Sequence, residues 1–144
     1  MFNSILVVCF GNVCRSPVAE FLFRRHLGDR GIRVSSAGLG ALVGSPMDEN
    51  AIALLQERGI DASEHRARQL EPSMLREADL VLAMERRHLN SLVRIAPEAS
   101  GKAFLFGKWD DGGDVPDPYR RPRPVFEQVH ESIERGVSSW LRYL

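Results

Sequence analysis

Two rhythms of apolar residues alternate along this chain. Ile5, Leu6, Val7 and Val8 form an unbroken, β-rich apolar run, the pattern of a strand buried on both faces. Residues 32–37, 79–84 and 103–106 supply three more strand-like runs. Helical spacing fills the intervals. Ser16-Pro17 reads as an N-cap followed by proline in the first turn, Phe21, Leu22 and Leu27 line one face, and Gly28 or Gly31 ends the helix. Ser45-Pro46 repeats the signal and predicts a helix through Ala51, Leu54 and Leu55 to Gly59. Another helix carries Leu89, Leu92 and Val93. Gly, Asp and Pro crowd residues 107–122, which should form a loop. Phe126, Val129, Ile133, Val137, Trp140, Leu141 and Leu144 then predict a long amphipathic closing helix.

Strands alternating with helices imply a parallel sheet covered on both faces. The expected fold is a single α/β domain over residues 1–144, three layers α/β/α, with a four-stranded parallel sheet flanked by helices. In such sheets ligands bind beyond the carboxyl ends of the strands. The segment leaving the first strand is therefore the place to look for chemistry.

Composition narrows the options. Lys plus Arg equals Asp plus Glu at 19 each, so no global charge argues for nucleic acid or an anionic membrane. No stretch approaches the roughly 18 apolar residues of a membrane span, and the segment Met1-Phe2-Asn3-Ser4 lacks a basic leader. The expected address is the cytoplasm and the expected state a monomer. A structural staple would normally link distant parts of a secreted chain, so two cysteines as close as Cys9 and Cys14 point to chemistry more than to architecture. No Cys, His, Asp or Glu cluster has metal-ligand spacing, so neither metal nor other cofactor is expected. His26, His88 and His130 read as helix-surface residues.

The segment after the first strand is Cys9-Phe10-Gly11-Asn12-Val13-Cys14-Arg15-Ser16, a C-x5-R-S pattern. A loop between a strand and a helix N-terminus points successive N–H groups inward and makes a nest for an anion. Gly11 and Asn12 tolerate the positive φ of such a curl. The planar fork of Arg15 can grip two phosphate oxygens. Cys9 sits at the mouth, where the loop N–H groups, the helix dipole and Arg15 all favour a thiolate, with the Ser16 hydroxyl as a further donor. An ionised nucleophile beneath a bound phosphate is what covalent phosphoryl transfer requires.

Cys9-Phe10-Gly11-Asn12-Val13-Cys14-Arg15-Ser16-Pro17 resembles the phosphate loop of the low-molecular-weight protein tyrosine phosphatases, and Asp117-Pro118-Tyr119 resembles their general-acid motif. Ser36-Ala37-Gly38 and His65-Arg66-Ala67-Arg68-Gln69 look like two further signatures of that family. The likeness spans the chain. It is nearest to a bacterial subgroup that works beside tyrosine autokinases in capsule or exopolysaccharide production, through Leu39-Gly40-Ala41-Leu42-Val43-Gly44 and Phe106-Gly107-Lys108-Trp109-Asp110.

The resemblance implies that Cys9, Arg15 and Asp117 are catalytic. It implies that Phe10, Gly11, Asn12, Val13, Cys14 and Ser16 bind phosphate, while Tyr119 and Leu42 face the substrate ring. Many relatives carry an aromatic residue where Leu42 stands, so the ring-stacking contact is altered here. Asn12, Ser36 and His65 match residues that hold the loop in shape. Pro116 and Pro118 bracket Asp117 and stiffen its loop. The implied partner is a phosphotyrosine protein, a tyrosine autokinase, with no nucleic acid and no membrane insertion.

Two rival readings use the same loop. An arsenate reductase working through its own thiols needs a further cysteine after the loop, and none follows Cys14. A non-catalytic phosphotyrosine-binding module needs Arg15 but neither Cys9 nor Asp117, and both are present.

Overall fold

A computed structural model describes residues 2–144. Four strands, β1 (Ser4–Cys9), β2 (Arg33–Gly38), β3 (Leu80–Ala83) and β4 (Ala103–Leu105), form one all-parallel sheet in the order β2-β1-β3-β4. The helices are α1 (Arg15–Leu27), α2 (Glu49–Gln56), α3 (Pro72–Glu77), α4 (Arg86–Ile95) and α5 (Arg123–Leu141). No helix among the described residues is long and apolar enough to cross a membrane.

The pleat divides the strand residues between two cores. Ile5, Val7, Leu80 and Leu82 point to one face, where Val18, Leu22 and Phe23 of α1, Leu54 and Leu55 of α2, and Phe126, Ile133 and Val137 of α5 cover them. Leu6, Val8, Val81 and Ala83 point to the other, covered by Leu75 of α3 and Leu92 of α4. This is why the central strands read as continuous apolar runs rather than alternating ones. Gly136 of α5 is needed for close packing, since a Cβ there would enter the Phe106 ring.

Several local expectations shift. α1 starts at Arg15 with Cys14 in the cap position, one turn-edge earlier than Ser16-Pro17 suggested, because the Ser16 hydroxyl is turned toward Cys9 instead of capping. Ser45-Pro46 does not open α2. Asp48 does, its Oδ1 accepting the Asn50 N–H at 2.9 Å. The short helix α3, with Pro72 in its first turn, was not anticipated. Residues 107–122 are mostly irregular, as their composition implies, apart from a 3-10 turn over Phe106–Trp109. His88 and His130 are buried rather than on helix surfaces, while His26 is exposed.

From β1 the chain crosses to β2 on one side, then returns past β1 to β3 on the other. The carboxyl end of β1 is thus the switch point, where the strand ends splay and a ligand crevice opens. Cys9 is the last residue of β1.

Candidate active site

The loop after β1 is held by its carbonyl groups. Cys9 O accepts from Leu39 N–H, Phe10 O from Gly40, Gly11 O from Leu42 and Val13 O from Asp48, at 2.8 to 3.1 Å. Asn12 O accepts from His65 Nε2 at 2.8 Å. Five successive carbonyls therefore face away from the loop's centre. In a planar trans peptide the N–H opposes the C=O, so the following N–H groups are turned inward. The result is a ring of amide donors at the N-terminus of α1, suited to an oxyanion. Gly38 permits this arrangement, because a Cβ there would collide with the Phe10 carbonyl oxygen.

Asn12 organises the interior. It has a φ of 59° and is fully buried. Gly11 takes no positive φ, contrary to expectation, since a single left-handed residue completes the curl. Nothing in the structure requires glycine at position 11. The Asn12 amide donates to Ser16 Oγ at 2.8 Å and to Ser36 Oγ at 2.9 Å, and its Oδ1 accepts the Arg68 N–H at 3.0 Å. Each hydroxyl accepts from Asn12 and must spend its hydrogen elsewhere. Ser36 donates to Glu20 Oε1 at 2.6 Å, and Ser16 faces Cys9 Sγ at 2.8 Å. Two donor chains thus run outward from Asn12, one through Ser36 to Glu20 and one through Ser16 toward Cys9. Because a carbonyl accepts only, His65 carries its hydrogen on Nε2.

Arg15 is almost wholly buried. Its Nη1 pairs with Glu85 Oε2 and donates to Val115 O at 2.8 Å. Its Nη2 lies 3.7 Å from Asp117 Oδ2. Burial works to raise the Glu85 carboxyl, but the hydrogen bond and charge of Arg15, with Arg87 and His88 behind them, hold it below the usual range. Burial, reinforced by Asp48, Asp117 and Cys9, pushes the Cys14 thiol up, so Cys14 stays protonated.

A cleft of about 160 Å³ opens above the loop. Residues 9–15 line it together with Gly40, Leu42, Asp117 and Tyr119. Asp117 is half-exposed, its Oδ1 accepting the Tyr119 N–H at 3.0 Å. That turn leaves Oδ2 toward Arg15. The exposed side chains of Phe10, Leu42 and Tyr119 give the mouth an apolar rim, and the Arg120 guanidinium lies 5.3 Å from the Tyr119 ring centroid.

The structure brings the sequence-derived residues together: Cys9, Phe10, Gly11, Asn12, Val13, Cys14, Arg15, Leu42, Asp117 and Tyr119 around the cleft, and Ser16, Ser36 and His65 beneath it. Glu20 and Glu85 were missed. Signals for both exist. Glu20 is an acidic residue one turn after Ser16, on the buried face of α1. Glu85 follows the carboxyl end of β3, the other side of the switch point.

The geometry defines a phosphate-ester hydrolase with a cysteine in its anion nest. The chain belongs to the low molecular weight phosphotyrosine protein phosphatase family, whose model matches residues 4–144. It is 46% identical over 144 residues to the low molecular weight protein-tyrosine-phosphatase Wzb of Escherichia coli K12, covering 100% of this chain and 97% of that protein. The crystal structure of the tyrosine phosphatase AmsI of Erwinia amylovora superposes with a TM-score of 0.95 at 42% identity, covering 100% of this chain and 94% of the other. That of Vibrio vulnificus Wzb in complex with benzylphosphonate gives 0.95 at 39% identity, with both chains fully covered. This chain is a protein tyrosine phosphatase of the Wzb and AmsI type.

Proposed function

We propose that this phosphatase, acting as a single-domain monomer in the cytoplasm, hydrolyses phosphotyrosine through a phosphocysteine intermediate. The observation that carries the reading is the run of five outward carbonyls from Cys9 to Val13, with the Ser16 hydroxyl facing the Cys9 sulfur. In the first step the Cys9 thiolate attacks phosphorus in line and an S–P bond forms. The bond from phosphorus to the phenolic oxygen breaks, and Asp117 delivers its proton to that oxygen. Arg15 and the loop N–H groups hold the three equatorial oxygens, where charge is spread in the transition state. In the second step water attacks phosphorus, Asp117 takes a proton from it, and the S–P bond breaks to return the thiolate and release phosphate.

A flat phenolic ring suits the cleft mouth between Phe10, Leu42 and Tyr119. A serine phosphate is too short to reach the loop without bringing its backbone against this rim. Benzylphosphonate, held by the Vibrio vulnificus relative, likewise places a phosphorus group one atom from an aromatic ring. The partner we infer is a phosphotyrosine protein, and specifically a bacterial tyrosine autokinase of capsule or exopolysaccharide production. The Wzb and AmsI likeness and the segment around Leu42 support it.

The test is to give the pure enzyme a tyrosine-phosphorylated autokinase and a phosphoserine protein. Much faster release from the kinase is expected. Comparable rates on the two would refute the selectivity, and an untouched kinase would refute the partner.

A further inference from the structure

His88 lies behind the Arg15–Glu85 pair and has no place in the chemistry described so far. It is almost wholly buried at the start of α4, and among the described residues neither ring nitrogen has a hydrogen-bond partner. Its Nε2 stands 3.6 Å from Glu85 Oε2, the oxygen that pairs with Arg15. The other oxygen of Glu85 takes Arg87 Nε at 2.7 Å.

A buried imidazole with unpaired nitrogens costs stability, and an apolar residue of similar volume would pack here without that cost. Fold stability therefore gives no reason for histidine at this position. Its neighbour gives one. Four charged groups act on the ring: Glu85 from the N-cap of α4, Arg87 from α4 itself, Arg15 from the start of α1, and Asp114 from the loop that caps Arg86. Burial keeps the ring neutral most strongly; Arg15 and Arg87 add to burial, and Glu85 and Asp114 oppose it. A neutral ring beside a carboxylate places its hydrogen on the nearer nitrogen, since a lone pair there would be repelled.

We propose that His88 is a positioning residue for phosphate binding: the electrostatic attraction of its Nε2–H, 3.6 Å away, steadies Glu85 Oε2, which fixes Nη1 of Arg15 and so presents the opposite edge of the guanidinium to the phosphate. Val115 O and Glu85 occupy Nη1, and Nε and Nη2 remain to form a two-pronged grip. Without His88 the only group on Glu85 Oε2 would be Arg15 itself, so carboxylate and guanidinium could shift together and the fork would lose its aim. The proposal rests on the reading that Arg15 grips the phosphate.

The experiment compares His88→Leu with His88→Gln, using inorganic sulfate as a competitive probe that stays dianionic across the working pH. His88→Leu should melt at the same or a higher temperature, yet bind sulfate three- to tenfold more weakly, with KM rising more than kcat falls. His88→Gln, which keeps an N–H near the Nε2 position, should restore binding to within twofold of wild type. In a Glu85→Gln background the leucine change should add nothing. Unchanged sulfate inhibition and KM in a folded His88→Leu would overturn the proposal, as would an equal loss with Glu85 already replaced.

Should His88→Leu fail to fold, the wild-type His88 ring resonances decide the matter. Movement on sulfate saturation supports the coupling and no movement overturns it. Sulfate inhibition that survives Arg15→Ala would refute the underlying grip instead, separating the two failures.

Discussion

Ser16 Oγ stands 2.8 Å from Cys9 Sγ. Asn12 already donates to that oxygen, so the hydroxyl hydrogen is available to a Cys9 thiolate, which can only accept. A hydrogen bond to a charged partner contributes about 1.5–3 kcal/mol. Ser16→Ala should therefore lower kcat by roughly tenfold to a hundredfold while leaving the fold intact. It should also slow alkylation of Cys9 at a fixed, mildly acidic pH. Alkylation at the wild-type rate would show that the hydroxyl does not support the thiolate.

Asp117 offers a test that depends on the substrate. Its loop holds Oδ2 toward the cleft, where a departing oxygen would need a proton. General acids contribute about 10²–10⁴-fold. Asp117→Asn should approach that loss for phosphotyrosine and other poor leaving groups, and lose far less for activated aryl phosphates. The alkaline limb of the wild-type pH–rate profile should flatten in the variant. A uniform loss across leaving groups would remove Asp117 from this role.

Stability should depend on pH through the two buried histidines. Burial lowers both His88 and His130, with Arg15 and Arg87 adding to it at His88 and Arg58 at His130, against nearby carboxylates. Their folded values thus lie below the unfolded value of about 6.5. Between the two, the unfolded chain binds more protons, so stability falls as pH falls through that window and is fully present above it. Each histidine contributes a slope of up to about 1.4 kcal/mol per pH unit there. Glu85, held low against the pull of its burial by Arg15, adds a further loss at pH values below the ordinary carboxyl range. Urea unfolding at a series of pH values should show the decline, and replacing both histidines by leucine should flatten its upper part. A wild-type curve level from pH 7.5 to 5 would contradict the burial argument.

Much of this was legible because strand burial and loop chemistry are written locally. Ile5 to Val8 had to be a central strand, since four consecutive apolar residues can be satisfied only with both sheet faces covered. The loop from Cys9 to Ser16 announced an anion nest at a strand end. What stayed hidden depends on partners distant in sequence. Ser16 and Ser45 looked like caps, but Ser16 is claimed by Cys9 and Asn12, and the cap of α2 passes to Asp48, whose N–H is tied to Val13 O. Glu85 reaches Arg15 across 70 positions, so only the meeting of strand ends reveals it. The burial of His88 and His130 was missed because histidine fits either face of a helix, and neither ring has the hydrogen bond that usually marks a buried one.

The central claim is that phosphate passes through the Cys9 sulfur. Rapid quench into alkaline denaturant of enzyme with ³²P-labelled phosphotyrosyl substrate should trap label on the wild type in a linkage that survives base and is lost on later exposure to mild acid or iodine. Cys9→Ser, whose hydroxyl is not ionised near neutral pH, should trap none and turn over nothing measurable while still binding sulfate. Appreciable turnover in Cys9→Ser, or a wild type that hydrolyses substrate with no label ever on Cys9, would contradict the account.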